Sequence, residues 1–185
     1  MRGSTGTAGV VSVGVTDVRP ATEADLPALV ASLEQPRYFA DRLVRQRHGL
    51  GVLLVAWLDA VAVGDLDGIA VGDIYLRLEG PDEDELADLR TVPLLTHLEV
   101  LPAYRKQGIG TLLMQRAEQI AWNRGGDRVA LGVTEDNTDA IRLYVDRGYQ
   151  LWRPVPIETY REVFRDDGGI DAVPDEPCLV YLLNR

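Results

Sequence analysis

Between Leu94 and Trp152 the chain changes its hydrophobic period again and again, and this alternation constrains the fold more than any other feature. "LLTHLEVL" reads as a strand, "GIGTLLMQRAEQIAWNR" as a helix, "RVALGVT" as a strand, "NTDAIRLYVDR" as a helix and "GYQLW" as a strand. In the long helix Ile109, Leu112, Leu113, Ala117, Ile120 and Ala121 fall on one stripe, and Gly125 with Gly126 closes its C-terminus. Val129, Leu131 and Val133 then alternate as a strand requires. Five such elements within about 60 residues imply right-handed crossovers and a sheet covered by helices, hence an α/β chain.

Upstream, "ATEADLPALVASL" opens at Thr22 with an acidic first turn at Glu23 and Asp25, and carries Leu26, Leu29, Val30 and Leu33 on one helical stripe. "PRYFADRLVRQRHG" begins a second helix at Pro36 and ends it at Gly49, with Phe39, Leu43 and Val44 on one side and a basic outer face. "GVLLVAWL" and "VAVGDLDGIAVGDIYLRL" are expected to be two antiparallel strands joined by a turn at Asp59 and Ala60, the second strand irregular. The segment from Glu79 to Pro93 holds Glu79, Asp82, Glu83, Asp84, Glu85 and Asp88 and reads as a loop or short helix. "RPVPIETYREVFRDDGGIDAVPDEP" reads as a Pro/Gly-rich polar tail and "CLVYLLNR" as a last strand. The expected organisation is a flexible tail over residues 1–12 and one domain over 13–185.

Composition narrows the partners. A net charge of −10 argues against a nucleic-acid or anionic-membrane surface, since both call for a basic face. The longest apolar run, "GVLLVAWL", is far shorter than the roughly 20 residues of a membrane span. The first residues lack the apolar core of a secretory signal, and Cys178 is the only cysteine, so no internal disulfide forms. A cytoplasmic protein without nucleic-acid or membrane partners is expected. Cys178, in "PCLVYLL", is expected to be a small buried hydrophobe and not a nucleophile.

The stretch "LEVLPAYRKQGIGTLLM" runs from a strand through a cationic loop straight into the long helix. Gly108 and Gly110 lie at the first turn, where backbone N–H groups have no intrahelical partner and the helix dipole is positive. Without side chains there, an anion such as a phosphate can approach the backbone, and Arg105 and Lys106 add positive charge. The loop is neither GxGxxG followed by an acidic ribose ligand nor a P-loop with its magnesium-binding hydroxyl, so no metal is implied. A tight strand-to-helix turn alone would also use two glycines. A second element points to a ligand: Asn137 and Tyr144 are two turns apart on one face of the next helix.

"VLPAYRKQGIG" followed by "NTDAIRLYVDRGY" resembles the GCN5-related N-acetyltransferases (GNAT), whose hallmarks are an R/QxxGxG/A loop and then an NxxAxxLYxxxGF-type segment. The resemblance covers residues 95–152 strongly and 13–78 weakly, and does not reach 79–91 or 154–177. It implies a mixed, mostly antiparallel sheet of six to seven strands with a splayed parallel pair, flanked by about four helices. It also implies that acetyl-coenzyme A is bound, with Arg105, Lys106, Gln107, Gly108, Ile109, Gly110 and Thr111 cradling its pyrophosphate. The backbone near Leu98 to Val100 would receive the pantetheine arm, and Asn137 would hydrogen-bond that arm or an ordered water.

Acetyl transfer to an amine needs two proton handlers, because an alkylammonium must lose a proton before attack and a leaving thiolate must regain one. Tyr144 is the candidate acid, a phenol that stays protonated at neutral pH. Many relatives carry Glu or His at strand positions held here by Leu94 and Thr96, neither of which accepts a proton. The titratable groups of that strand are His97 and Glu99, on one face by the period of two, and Glu99 ranks first because an unpaired charge in a buried strand is costly. The acidic segment could steer a cationic amine, and Tyr160, Arg161 and Phe164 could wall the cleft. The resemblance thus implies an N-acetyltransferase acting on a primary amine of a small molecule or protein in a ternary complex, with a homodimer an option that no residue specifies. The rival readings are an acyl-CoA-binding module without turnover, motivated by Leu94 and Thr96, and a nucleotide-phosphate binder resting on the glycine loop alone.

Overall fold

The computed structural model describes residues 15–58, 68–81 and 84–185; the expected tail, the turn at residues 59–60, the start of the second long strand (61–67) and Asp82 with Glu83 lie outside the described residues. The elements in chain order are β1 (Val15–Pro20), α1 (Leu26–Leu33), α2 (Pro36–Arg47), β2 (Gly51–Leu58), β3 (Ile69–Arg77), β4 (Leu94–Val100), α3 (Ile109–Asn123), β5 (Arg128–Val133), α4 (Thr138–Asp146), β6 (Gln150–Leu151), β7 (Ile157–Phe164) and β8 (Ile170–Asn184). One sheet runs in the order β1-β2-β3-β4-β5-β8-β6, with β7 paired to the first half of β8. Every pairing is antiparallel except that of β4 with β5. This is the expected mixed, mostly antiparallel sheet with four α-helices.

The sheet is covered on both faces, which is why β2 is a continuous apolar run and not an alternating one. Val52, Leu54, Ala56 and Leu58 pack with Leu113, Met114 and Ala117 of α3, while Leu53, Val55 and Trp57 pack with Leu29, Phe39 and Leu43 of α1 and α2. Each such side chain, fully buried, contributes about 1.5–3 kcal/mol. The α3 stripe is narrower than its sequence suggests: Met114 belongs to the core, whereas Leu112 is exposed. Val44 of α2 is exposed too, because Tyr38 takes the inward position instead. The acidic segment forms a 3-10 turn over Asp84–Leu89, and its Leu86, Leu89 and Val92 pack against Ala130, Val180 and Leu182.

Two irregularities position the site. The parallel ladder between β4 and β5 holds only at Leu94–Ala130 and Leu95–Leu131, after which the strands diverge, as the splayed pair was expected to. On its other edge β4 bulges against β3, where Ile74 alone faces both His97 and Leu98 between the pairs Tyr75–Thr96 and Asp73–Glu99. His97 there takes a left-handed conformation, φ 54°.

The polar tail expected over 153–177 is instead a β-hairpin arm made by β7 and the first half of β8, turned at Gly168 with φ 87°. Its prolines and charges disguised it, because strand pairing uses backbone groups that any sequence supplies and an edge tolerates proline. The last strand, expected from Cys178 onward, is the second half of β8.

Candidate active site

Where β4 and β5 part, a cleft of about 1130 Å³ opens between the sheet, α2 and the hairpin arm. Thr96, His97 and Leu98 line it from β4, Leu131 and Gly132 from β5, and Tyr144 from α4. The cleft exists because the parallel ladder stops, leaving the facing edges of two strands without each other as partners.

At one end of β4 the chain turns through Pro102–Tyr104 into the glycine loop. Lys106 and Gly108 are both left-handed, φ 60° and 83°, and no side chain caps α3, so its first-turn N–H groups are uncommitted among the described residues. Arg105 turns back, its Nε donating to the Val100 carbonyl at 2.8 Å, and Gln107 Nε2 donates to Ala103 O at 3.2 Å. These two side chains hold the loop's shape, while Lys106 is exposed. Gly110 is informative for another reason. A Cβ there would meet only Leu143 at 3.7 Å and Leu98 at 3.9 Å, ordinary contacts, so no packing within the chain demands a glycine. Glycine in a helix costs about 1 kcal/mol relative to alanine, and packing within the chain does not account for it here. Arg105 to Gly110, Thr111 and Asn137 stand outside the cleft lining, and the contact of Gly110 with Leu98 links the loop to it.

His97 and Glu99 come together, through the bulge, with two residues that sequence reasoning missed. His97 Nε2 lies 3.5 Å from Glu99 Oε2 and 3.8 Å from Asp73 Oδ2, and Gln35 Nε2 donates to Glu99 Oε2 at 3.0 Å. The His97 ring stacks on Tyr38, centroids 4.1 Å apart. Asp73 is fully buried and neither carboxylate oxygen has a hydrogen-bond partner. Burial, then the charge of Glu99, pushes its carboxyl well above the usual range. Burial pushes His97 down, against the pull of Glu99, which keeps the imidazole neutral and able to accept a proton. His97 lines the cleft and Glu99 stands beside it. The signal for Asp73 was available as a lone charge inside the apolar run "IAVGDIYL"; nothing local marked Gln35 or Tyr38.

Tyr144 is buried in the core and faces the cleft, its phenol raised by burial. Asn137 caps its helix, accepting from Ala140 N at 3.2 Å, and is exposed. Helices α3 and α4 are tied by Glu118, buried, which accepts from Arg147 through both guanidinium arms and from Tyr149 Oη at 3.1 Å. That clamp fixes the glycine loop, which begins α3, relative to Tyr144 on α4. Of the usual base positions, Thr96 donates to Tyr75 O at 3.3 Å and Leu94 packs beside Leu86 and Leu89, so neither handles protons.

The arm closes the opposite wall with Tyr160, Arg161, Glu162 and Phe164, in a strand and not the expected loop. Glu162 is bound by Arg42 and by Arg45 at 3.1 Å, and Arg37 donates to Phe164 O at 3.1 Å. The basic residues of α2 therefore do not all face outward: Arg42 lies over the rings of Tyr38 and Tyr75 at 4.9 and 4.8 Å. Cys178 also corrects its expectation. It is half-buried on the cleft wall, and burial raises its thiol, so it is not a thiolate.

The profile of the acetyltransferase (GNAT) family matches the sequence across residues 26–149, which holds the splayed parallel pair, the glycine turn and Tyr144. The chain belongs to the GNAT family. Among curated GNAT relatives, a 56-residue stretch is 38% identical to the thialysine N-epsilon-acetyltransferase of Mus musculus, over 30% of this chain and 33% of that protein. The matched stretches span 14% of the acetyl transferase GW6a of Oryza sativa subsp. japonica, 38% identical over 60 residues, and 33% of the Mus musculus protein. Solved structures share the fold: Arabidopsis thaliana NAA60 in complex with a bisubstrate analogue has 19% identity and a TM-score of 0.61, covering 91% of this chain and 97% of that one. The PaiA N-acetyltransferase of Thermoplasma acidophilum in complex with coenzyme A has 16% identity and a TM-score of 0.59, covering 91% and 98%.

Proposed function

We propose that this GNAT protein moves an acetyl group from acetyl-CoA to a primary amine of a small molecule or protein, directly, in a ternary complex. The observation that carries the reading is the cleft at the opened β4–β5 pair, whose walls hold a neutral imidazole and a buried phenol, with an uncapped glycine loop at one end. When bound, the cofactor supplies the acetyl thioester. The N–H groups of residues 108–111 and the charge of Lys106 would hold its diphosphate, Leu98 and the edge of β4 beyond Leu95 would hold its arm, and Asn137 would hydrogen-bond it from the α4 cap. His97 accepts the proton that the acceptor ammonium, pKa about 10.4, must lose. Glu99, next to it, draws the cationic amine in and stabilises the imidazolium. Tyr144 holds at Oη the proton that the departing sulfur takes. Gln35 and Tyr38 orient the His97–Glu99 pair. The names of the relatives, a thialysine N-acetyltransferase and structures holding a bisubstrate analogue or coenzyme A, support this assignment. We place the protein in the cytoplasm, where Cys178 stays reduced.

The test is thiol release from acetyl-CoA with a panel of alkylamines and amino-terminal peptides. Tyr144→Phe is expected to lower kcat by about 10²–10⁴ with little change in KM for acetyl-CoA, the range general acids contribute. Unchanged turnover removes Tyr144 from the mechanism. Thermal stabilisation by coenzyme A without thiol release on any amine makes the chain a binding module instead.

A further inference from the structure

The cluster behind the cleft wall has a property that proton transfer does not explain. Three donors from two adjacent strands, Asp73 of β3 with His97 and Glu99 of β4, lie within 4.8 Å of one another. Two edges are 3.8 and 3.5 Å and the third is at most 4.8 Å, so a point equidistant from all three lies no more than about 2.4 Å from each, against ~2.0–2.2 Å for zinc bonds to nitrogen and oxygen. A shift of a few tenths of an ångström per side chain completes the set. The Gln35 amide faces the same point, 3.0 Å from Glu99 Oε2 and 3.4 Å from His97 Nε2, and its oxygen reaches there on a flip of the amide.

Independently of the cluster's spacing, Asp73 carries two acceptor oxygens with no hydrogen-bond partner among the described residues, on a side chain with no solvent exposure. A buried carboxylate beside a second carboxylate is costly unless a cation answers both. Arg42 is committed to Asp41 and Glu162 and lies over Tyr38, and among the described residues no Lys or Arg forms an ion pair with Asp73.

We propose that Asp73, His97 and Glu99 form a binding site for a divalent transition-metal ion such as Zn²⁺, with the Gln35 amide as fourth ligand. One imidazole, two carboxylates and an amide oxygen suit borderline ions better than Mg²⁺, which favours six oxygens. The ion bonds the carboxyl oxygens of Asp73 and Glu99 and occupies the Nε2 lone pair of His97. On the proposed function, which this consequence rests on, the ion is therefore an inhibitor that competes with the proton and not a cofactor of the reaction.

Binding is read without cofactor or amine, so it stands or falls separately from the transferase reading. The full chain is titrated with Co²⁺, followed by its visible absorption, and with Zn²⁺ by calorimetry. The expected result is one ion per chain, weakened at least about tenfold in Asp73→Asn and in His97→Ala and unchanged in His48→Ala. Should the Asp73 variant fail to fold, the wild-type protein gives the same answer: Zn²⁺ protects His97, and not His48, from diethylpyrocarbonate. Absence of Co²⁺ binding at millimolar metal, or equal modification of His97 with and without Zn²⁺, overturns the site.

Discussion

Replacing Arg147 by alanine tests whether the α3–α4 clamp holds the active-site geometry. Glu118 is 5% exposed and its carboxylate accepts three hydrogen bonds, two from Arg147 and one from Tyr149 Oη. Arg147→Ala removes the guanidinium and leaves a buried charge facing one phenol. Breaking a buried pair in this way costs about 3–5 kcal/mol, which for a chain of this size lowers Tm by roughly 6–20 °C. The measurement is thermal unfolding at pH 7 by circular dichroism, with coincident near- and far-ultraviolet transitions as the two-state check. The double variant Glu118→Met with Arg147→Met should recover most of the loss, because the cost lies in the stranded charge and not in the missing attraction. A single variant melting within about 2 °C of the parent, or a double variant no better than the single, refutes the reasoning. In the folded fraction of Arg147→Ala, KM for acetyl-CoA should rise, since the glycine loop rides on α3.

Gly110→Ala separates ligand from packing. Its Cβ fits, so stability should hold or rise by up to about 1 kcal/mol, while KM for acetyl-CoA rises about tenfold or more; equal KM removes Gly110 from the cradle. Asp25 is held down from 3.8 to about 2, first by its hydrogen bonds from Arg19 at 2.9 and 2.7 Å. A folded-state value below the unfolded one gives stability that is present above pH 4 and lost as pH falls toward 2. Urea unfolding from pH 5 to 2 should therefore steepen less in Asp25→Asn than in the parent. Glu162→Ala removes the Arg42 and Arg45 contacts to the arm and leaves that of Arg37, so amide exchange should quicken across 157–164 and not in α3; unchanged exchange in the arm would show that these contacts do not hold it.

The legible parts of the site were those built from local chemistry. Gly108 and Gly110 announced an uncapped helix start, and the Asn137–Tyr144 spacing placed two groups on one helix face, which requires only the period of the helix. His97 and Glu99 were named from their strand, yet their meeting with Asp73 and Gln35 was not readable, because it depends on a bulge that turns two residues of β4 against one of β3. The arm was hidden for a related reason. Its strands are polar and proline-bearing, and their order comes from pairing with each other and from the arginines of a helix 120 residues away in sequence.

By itself, the sequence determined which segments are strands and helices across the motif-bearing half, the glycine turn at the start of α3 and the family the two motifs point to. Each of these follows from periodicity or from backbone donors within one turn. Tertiary structure alone decided where the parallel ladder ends and a cleft begins, which charge is buried beside which imidazole, and what walls the acceptor side. Those depend on contacts between residues distant along the chain, and a carboxylate such as Asp73 has no chemical identity until its neighbours set whether it holds a proton, a charge or an ion.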